Sequence, residues 1–359
     1  MSDKPIIHLC IPQLLQPLEL WHRDFRFEAK APQLSLLLRQ FKRVKNKAVQ
    51  GLDASLFNAI GSTTTAELPV AHYRFQTHEN TPTIKEKLLL CADPIHLEVG
   101  MNDITLTEII TDLSKAEAQE MLDELNAHFK QDGLEFILGS NQHWYLLVPQ
   151  NETLETTPLG EVLRKNVAKF QPHSNATNPT INWQVIQNEA QMILHASAVN
   201  QQREMAGLTT ANSLWFWGAG NPDSFETVDK GDENVNAVFC NQHSVISAQT
   251  IAKAAGCEWQ ILPDDLNKFP NFKAGKNIII LDQLYLPAVH DDLERYQQVL
   301  SALDEQIIKP LQTAWQAGQI ELLIDGCDGN VIQPQKVSAW QFWKHTPPLL
   351  HGVQKWGGV

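Results

Sequence analysis

From Ser213 onward, short apolar runs alternate with helical segments: SLWFWG, NAVFC, SVISAQTIAKAAG, CEWQIL, NIIILD, DDLERYQQVLSALDEQIIKPLQTAWQAG and IELLIDG. No other feature of the chain narrows the fold as much. An apolar run of a few residues, bounded by turn residues and followed by a helix, fits a strand buried on both faces. Strands of that kind joined through helices build a parallel sheet covered on both sides. The predicted fold class is therefore α/β, with a doubly wound, mostly parallel sheet, and SLWFWG is expected to be one of its strands.

The first part of the chain supplies further elements. PIIHLCIP reads as a short buried strand. APQLSLLLRQFKRV reads as a helix, with apolar spacing at Leu34, Leu37, Leu38 and Phe41. From Lys85 to Pro149 the pattern is strand, strand, helix, strand, strand. The helix there opens on Ser114 with Glu117 three residues later, a capping box, and stops at Gly133. TPLGEVLRKN opens another helix, with Pro158 at its first position. A long helical segment, INWQVIQNEAQMILHASAVNQQREMAG, ends at Gly207. The expected organisation is a core domain made of residues 1–84 and 180–359, with a smaller α+β subdomain and its linker at 85–179.

Charge narrows the partners. The 359 residues carry 28 Lys and Arg against 41 Asp and Glu, a formal net charge of −13. Neutralising a phosphate backbone needs clustered cations, so a nucleic-acid partner is not expected. The one basic cluster, RQFKRVKNK, reads as a helix end, where cations complement the dipole. Five cysteines with no CxxC pair argue against a disulfide framework or a structural zinc knuckle, and fit a reducing cytoplasm. No apolar run reaches the roughly 20 residues that a bilayer-spanning helix needs. A membrane partner is not expected either, and the oligomeric state stays open.

In open α/β sheets, ligands sit beyond the carboxyl ends of the strands. Asp282 follows NIIIL, and Asp325 follows IELLI. His290, Asp291 and Asp292 stand just ahead of a long helix. Asp282, His290, Asp291 and Asp325 are the candidate metal ligands, a mixed carboxylate and imidazole set suited to a divalent ion; the same residues also suit turns and helix caps. A second set is expected to bind a ligand: Asp93 and His96 in CADPIHL, Asn200 and Arg203 in the long helix, and Asn212, Trp215, Trp217, Gly218 and Gly220 in ANSLWFWGAG. By strand alternation Trp215 and Trp217 share a face. Ahead of a glycine turn, two indoles either line a pocket for flat or cationic groups or pack as core.

In chain order, CADPIHL, LSKAEAQEMLDELNAHF, WYLLVP, TTPLGEV, NEAQMILHASAVNQQR and ANSLWFWGAG resemble bacterial proteins of the RpfE regulatory type. More distantly they resemble the archaeal-type cofactor-independent phosphoglycerate mutases of the alkaline phosphatase superfamily. The similarity runs from Leu88 onward. It implies an alkaline-phosphatase-like core, an inserted α+β subdomain, and two divalent metals flanking a Ser or Thr nucleophile, since two cations stabilise both the attacking and the leaving oxygen.

Carried over by residue, that pattern is incomplete. The first strand has no Asp at its end. Ser55, Ser62 and Thr63 stand where a nucleophile is expected, without its usual surroundings. DQLYLPAVHDD echoes one metal motif through Asp282, His290 and Asp291 or Asp292. In DGCDG, Asp325 stays and the family's His has become Gly326. Trp217 occupies a basic position, and the late histidine ligand corresponds to His345 or His351. The reading that follows is a mutase-like protein that has lost its catalytic centre. It would bind a small molecule or a regulatory protein in a cleft between core and subdomain, with no cofactor. The alternative is an active metal-dependent phosphomutase or phosphatase using manganese, zinc or magnesium at a rearranged site. A scaffold that docks through Trp340 and Trp343 is a third.

Overall fold

In the computed structural model, residues 4–44, 50–62, 67–78, 87–101, 103–140, 142–149, 154–175, 181–222, 235–263, 272–336 and 349 are described. The chain runs through β1 (Pro5–Cys10), α1 (Leu18–Phe25), α2 (Pro32–Leu37), β2 (Phe41–Val44), α3 (Leu52–Ala59) and α4 (Val70–Gln76). Next come β3 (Lys87–Val99), β4 (Ile104–Ile109), α5 (Lys115–Phe129), β5 (Glu135–Leu138), β6 (Trp144–Pro149), β7 (Leu154–Glu155) and β8 (His173–Ser174). Then follow α6 (Trp183–Ala196), α7 (Ala198–Met205), β9 (Ser213–Trp217), β10 (Val235–Cys240), α8 (Val245–Ala255), β11 (Glu258–Ile261) and β12 (Gly275–Ile280). The last are α9 (Tyr285–Val289), α10 (Leu293–Leu303), α11 (Lys309–Gln316), β13 (Glu321–Asp325) and β14 (Val331–Pro334).

The chain divides into two compact units, one of Met1–Ser62 with Thr227–Val359 and one of Thr63–Glu226. The boundaries expected at residues 84 and 180 therefore move outward. The reason is β9. Instead of joining the parallel sheet, it pairs antiparallel with β3, Ser213 facing Ile95 and Trp217 facing Cys91. It carries α6 and α7 with it into the second unit.

The first unit is α/β. Its seven-stranded sheet has the order β11-β10-β12-β1-β13-β14-β2. The five strands from β11 to β13 are mutually parallel, and β14 and β2 continue the sheet antiparallel. On one face Ile7, Leu9, Ile279, Leu322 and Ile324 form a core with Trp21, Leu34, Tyr296 and Leu311. On the other, α3 packs on β1 and α8 on β10. Strands buried on both faces account for the continuous apolar runs of III in β12 and LLI in β13.

Two local differences from expectation concern this unit. α2 stops at Leu37, and Phe41–Val44 is a strand paired with β14 at the sheet edge. The described part of the basic cluster thus includes an edge strand with Lys42 and Arg43 exposed, where charge disfavours pairing with another chain, and Lys45 to Lys47 lie outside the described residues. The long helix before β13 is interrupted by a π-type turn at Asp304–Ile308, ending two residues ahead of Pro310. A wide turn tolerates a proline that lacks an N–H to donate. It also turns Asp304 inward, where its carboxylate accepts the N–H groups of Gln33 (3.0 Å) and Leu34 (2.8 Å) at the start of α2.

The second unit has a sheet of order β4-β3-β6-β5, with β9 also on β3, and α5 and α6 packed over it. Its core includes Leu90, Met121, Leu125, Phe136, Trp144, Leu214 and Phe216. The capping box forms, with Glu117 N–H donating to Ser114 Oγ at 3.2 Å, and Gly133 takes φ 75°. Pro158 opens only a single 3₁₀ turn, Leu159–Glu161. The long helical segment breaks at Ser197, which is extended, so α6 and α7 are separate helices. Among the described residues, no helix is long and apolar enough to cross a membrane.

Candidate functional site

Beyond the carboxyl ends of β10 and β12 the first unit holds a cavity of about 550 Å³. Parallel strands point their unpaired ends and the following loops to one side, which places Asn241 next to Asp282. Asn241 Oδ1 accepts the N–H groups of His243 and Ser244, both at 2.8 Å, and its Nδ2 donates to Asp282 Oδ1 at 3.3 Å. This pins the amide and fixes one oxygen of Asp282. His243, His290, Asp292 and Arg295 add polar groups, while Leu281, Leu286, Pro287, Val299 and Leu303 supply apolar wall. Asp292 also caps α10, accepting the Arg295 N–H at 2.9 Å. The mixture suits a small organic molecule with an apolar body and a few hydrogen-bonding groups.

The four expected metal ligands do not converge. Asp282 and His290 line the cavity. Asp291 stands at φ 51° and accepts the indole N–H of Trp21 at 2.7 Å. Asp325 ends β13, two strands from β12, and is buried against β1. Its Oδ2 is 3.3 Å from His8 Nε2, and its Oδ1 accepts the Cys327 N–H at 2.8 Å. Among the described residues, the one group of three or more metal-ligating side chains in mutual reach is His8, Cys10 and Asp325. Among the described residues, the expected donors therefore do not gather into a paired-metal centre. Of the expected nucleophiles, Ser55 is buried in α3 and bonds the Cys327 side chain. Ser62 follows α3, its N–H donating to the Phe57 carbonyl at 3.0 Å. Thr63, His345, His351, Trp340 and Trp343 lie outside the described residues.

Sequence reading missed His8 and Cys10 because they interrupt a strand that otherwise reads as core. The signal was present: a His and a Cys two residues apart share a strand face, and an Asp ends a later strand. His8 is held neutral, its basicity lowered chiefly by burial although the Asp325 bond opposes this. Burial pushes the Cys10 thiol well above its ordinary range, and Asp325 adds to the effect.

The nine residues expected to bind a ligand all lie in the second unit, where their polar groups are committed to the chain. The reason is again the pairing of β9 with β3, which makes ANSLWFWGAG part of a sheet. His96 Nδ1 meets the Thr210 carbonyl at 2.8 Å. Asn200 Nδ2 donates to the carbonyls of Leu194 (2.7 Å) and Ala211 (2.9 Å), and its Oδ1 accepts the Ala211 N–H. Arg203 binds the Thr209 carbonyl and Asp112. Asn212 exchanges both of its amide bonds with the Leu97 main chain. Trp215 Nε1 donates to the Thr157 carbonyl at 2.8 Å.

Trp217 and Asp93 do come together. Trp217 Nε1 donates to Asp93 Oδ2, and Arg74 from α4 pairs with the same carboxylate at 3.1 Å. The guanidinium lies 4.9 Å from the Tyr145 ring centroid and 5.6 Å from that of Trp217. His143 stands 3.9 Å from Asp93, and burial and then Arg74 lower its pKa to about 4.

The glycine turn after β9 closes this region. Gly218 adopts φ 71°, and its N–H donates to Thr156 Oγ1 at 2.9 Å. The Gly220 N–H donates to the Leu68 carbonyl at 3.1 Å. Glu67 accepts from the Thr156 N–H and hydroxyl and from the Ala219 N–H.

No protein-family profile and no curated protein matches this sequence. Among the solved structures similar over most of the chain are these two. One is a cofactor-independent phosphoglycerate mutase from Thermoplasma acidophilum, with 14% identity, a TM-score of 0.40, and coverage of 94% of this chain and 90% of that one. The other is the PH0037 protein from Pyrococcus horikoshii, with 12% identity, a TM-score of 0.48, and coverage of 94% and 89%. Similarity at this level assigns no activity.

Proposed function

We propose that this chain is a phosphoglycerate-mutase-like protein without a working phosphoryl-transfer centre, and that it binds a small organic molecule in the cavity beyond β10 and β12. The observation that carries the reading is the divergence of Asp282 and His290, which face the cavity, from Asp291, held by Trp21, and Asp325, held by His8 and the Cys327 N–H. Phosphoryl transfer through two cations needs those donors on one point. The order of six sequence segments supports the mutase-like part. The five cysteines, all free thiols, suit the cytoplasmic location that goes with it.

The experiment has two arms. The protein, purified without chelator, is assayed for interconversion of 2- and 3-phosphoglycerate and for phosphomonoester hydrolysis, with and without added manganese, zinc or magnesium. No metal-dependent turnover is expected; turnover accompanied by two bound ions per chain refutes the reading. In the second arm a metabolite library is screened by thermal shift. Ligands that raise Tm in the wild type should lose the effect in Asp282→Ala and His290→Ala, and shifts unchanged in both variants place binding elsewhere.

A further inference from the structure

We propose that His8, Cys10 and Asp325 form a buried binding site for a single transition-metal ion, with zinc the best match to the donors. β1 alternates, so Ile7 and Leu9 face the apolar core while His8 and Cys10 share the opposite face. β13 runs parallel to β1 in a register that pairs Cys10 with Asp325. A ring nitrogen of His8, the Cys10 sulfur and a carboxylate oxygen of Asp325 consequently lie within 4.8 Å of one another. All three residues are shut off from water, at 2%, 0% and 1% exposure.

Independent observations point to a ligand at this place. The buried Nδ1 of His8 has no hydrogen-bond partner, and a buried polar atom left without one is costly. Asp325 is held from behind, since its second oxygen takes the Cys327 N–H; support of that kind orients ligands in metal sites. Cys327 turns back at φ 58°, which brings its N–H onto Asp325.

The donor types select the metal. One imidazole, one carboxylate and one thiol form a mixed set that magnesium and calcium avoid and zinc accepts. Charge balances among the ligands: the Cys10 thiol releases its proton to solvent as the ion binds, His8 ligates through a neutral nitrogen, and one thiolate with one carboxylate neutralises a divalent cation. Lys276, whose charge acts on His8 and Cys10, donates to the Ala59 carbonyl. None of Asp282, His290 or Asp291 takes part, so the site does not depend on the proposed ligand cavity.

The test uses the full chain. Metal content is measured by elemental analysis on protein purified without chelator, and the metal-free protein is titrated with cobalt(II). One ion per chain is expected, with a near-ultraviolet thiolate-to-cobalt charge-transfer band. Cys10→Ala should remove the band and weaken metal affinity by more than about 100-fold, while Asp282→Asn leaves both unchanged. Because Cys10→Ala replaces one small buried side chain by another, far-ultraviolet circular dichroism should confirm that it folds. Chelator should lower the Tm of the wild type and not that of Cys10→Ala. Wild type that binds neither zinc nor cobalt, or Cys10→Ala that keeps its metal, overturns the proposal. Loss of metal in Asp282→Asn instead of Cys10→Ala overturns it too, and points to a centre at the cavity.

Discussion

The Trp217 indole donates to the Asp93 carboxylate across 2.7 Å, and Arg74, nineteen residues upstream of Asp93, completes the charge balance. The cluster is buried, with Arg74 and Asp93 each 5% exposed. A tryptophan that looks in sequence like a ligand platform is thus the cap of a neutral, dehydrated ion pair. Removing one member strands the other. Asp93→Ala and Arg74→Ala are each expected to destabilise the protein by about 3–5 kcal/mol, and Trp217→Phe by about 1.5–3 kcal/mol. Urea unfolding measures all three. The double variant Arg74→Met, Asp93→Leu should cost clearly less than the two single alanine changes added together.

His143 gives the second unit an acid-sensitive point. Its pKa is lowered to about 4 from an ordinary 6.5 by burial and by Arg74, with Asp93 opposing and His78 adding a little. Between those two values the unfolded chain binds a proton that the folded chain refuses. Stability from this source is complete above pH 6.5 and declines as the pH falls towards 4, by up to about 3 kcal/mol. His143→Gln should flatten the pH dependence over that window, and parallel slopes for variant and wild type in denaturant titrations contradict it.

Glycine at 220 is required by space, not by dihedral angle. A Cβ there would lie 2.3 Å from the Glu67 carbonyl oxygen and 2.4 Å from main-chain atoms of Leu68 and Pro69. Backbone cannot step aside as a flexible side chain does, so Gly220→Ala is expected to cost about 3 kcal/mol. Gly207 provides the contrast. It stands at φ 71° with nothing within 4 Å of the place a Cβ would take, and its replacement by alanine should cost only about 1 kcal/mol. Thermal unfolding of the pair tests the ranking.

Asn200 holds the break between α6 and α7. Its amide meets two carbonyls and one N–H, all buried. Asn200→Ala leaves those main-chain groups unsatisfied and should destabilise by about 2 kcal/mol or more. Faster hydrogen exchange at Ala211, whose N–H loses its acceptor, would locate the effect.

Local signals were legible in the sequence, and partnerships were not. Ser114 and Glu117 announced the start of α5, and the apolar runs of β12 and β13 announced buried parallel strands. SLWFW has the same appearance as those runs, because periodicity reports burial and says nothing of which strand lies alongside. That ambiguity moved the later domain boundary and the surroundings of Trp217. FKRV followed a helix-like spacing and became an edge strand for the same reason: its partner, β14, lies almost 300 residues away in sequence. Asp282 and Asp325 could be placed at strand ends from the sequence because residues that end parallel strands are positioned by the fold. His8 and Cys10 were missed because their significance depends on a neighbour, β13, more than 300 residues further along the chain.

The place of β1 has a consequence for biosynthesis. It is translated ahead of the other described strands, and it sits between β12 and β13, pairing with Gly275–Ile280 on one side and Glu321–Asp325 on the other. The intervening unit, Thr63–Glu226, emerges whole from the ribosome well before either neighbour exists. The nascent chain therefore carries an apolar segment, Pro5–Cys10, without its sheet partners until β12 and β13 have been made.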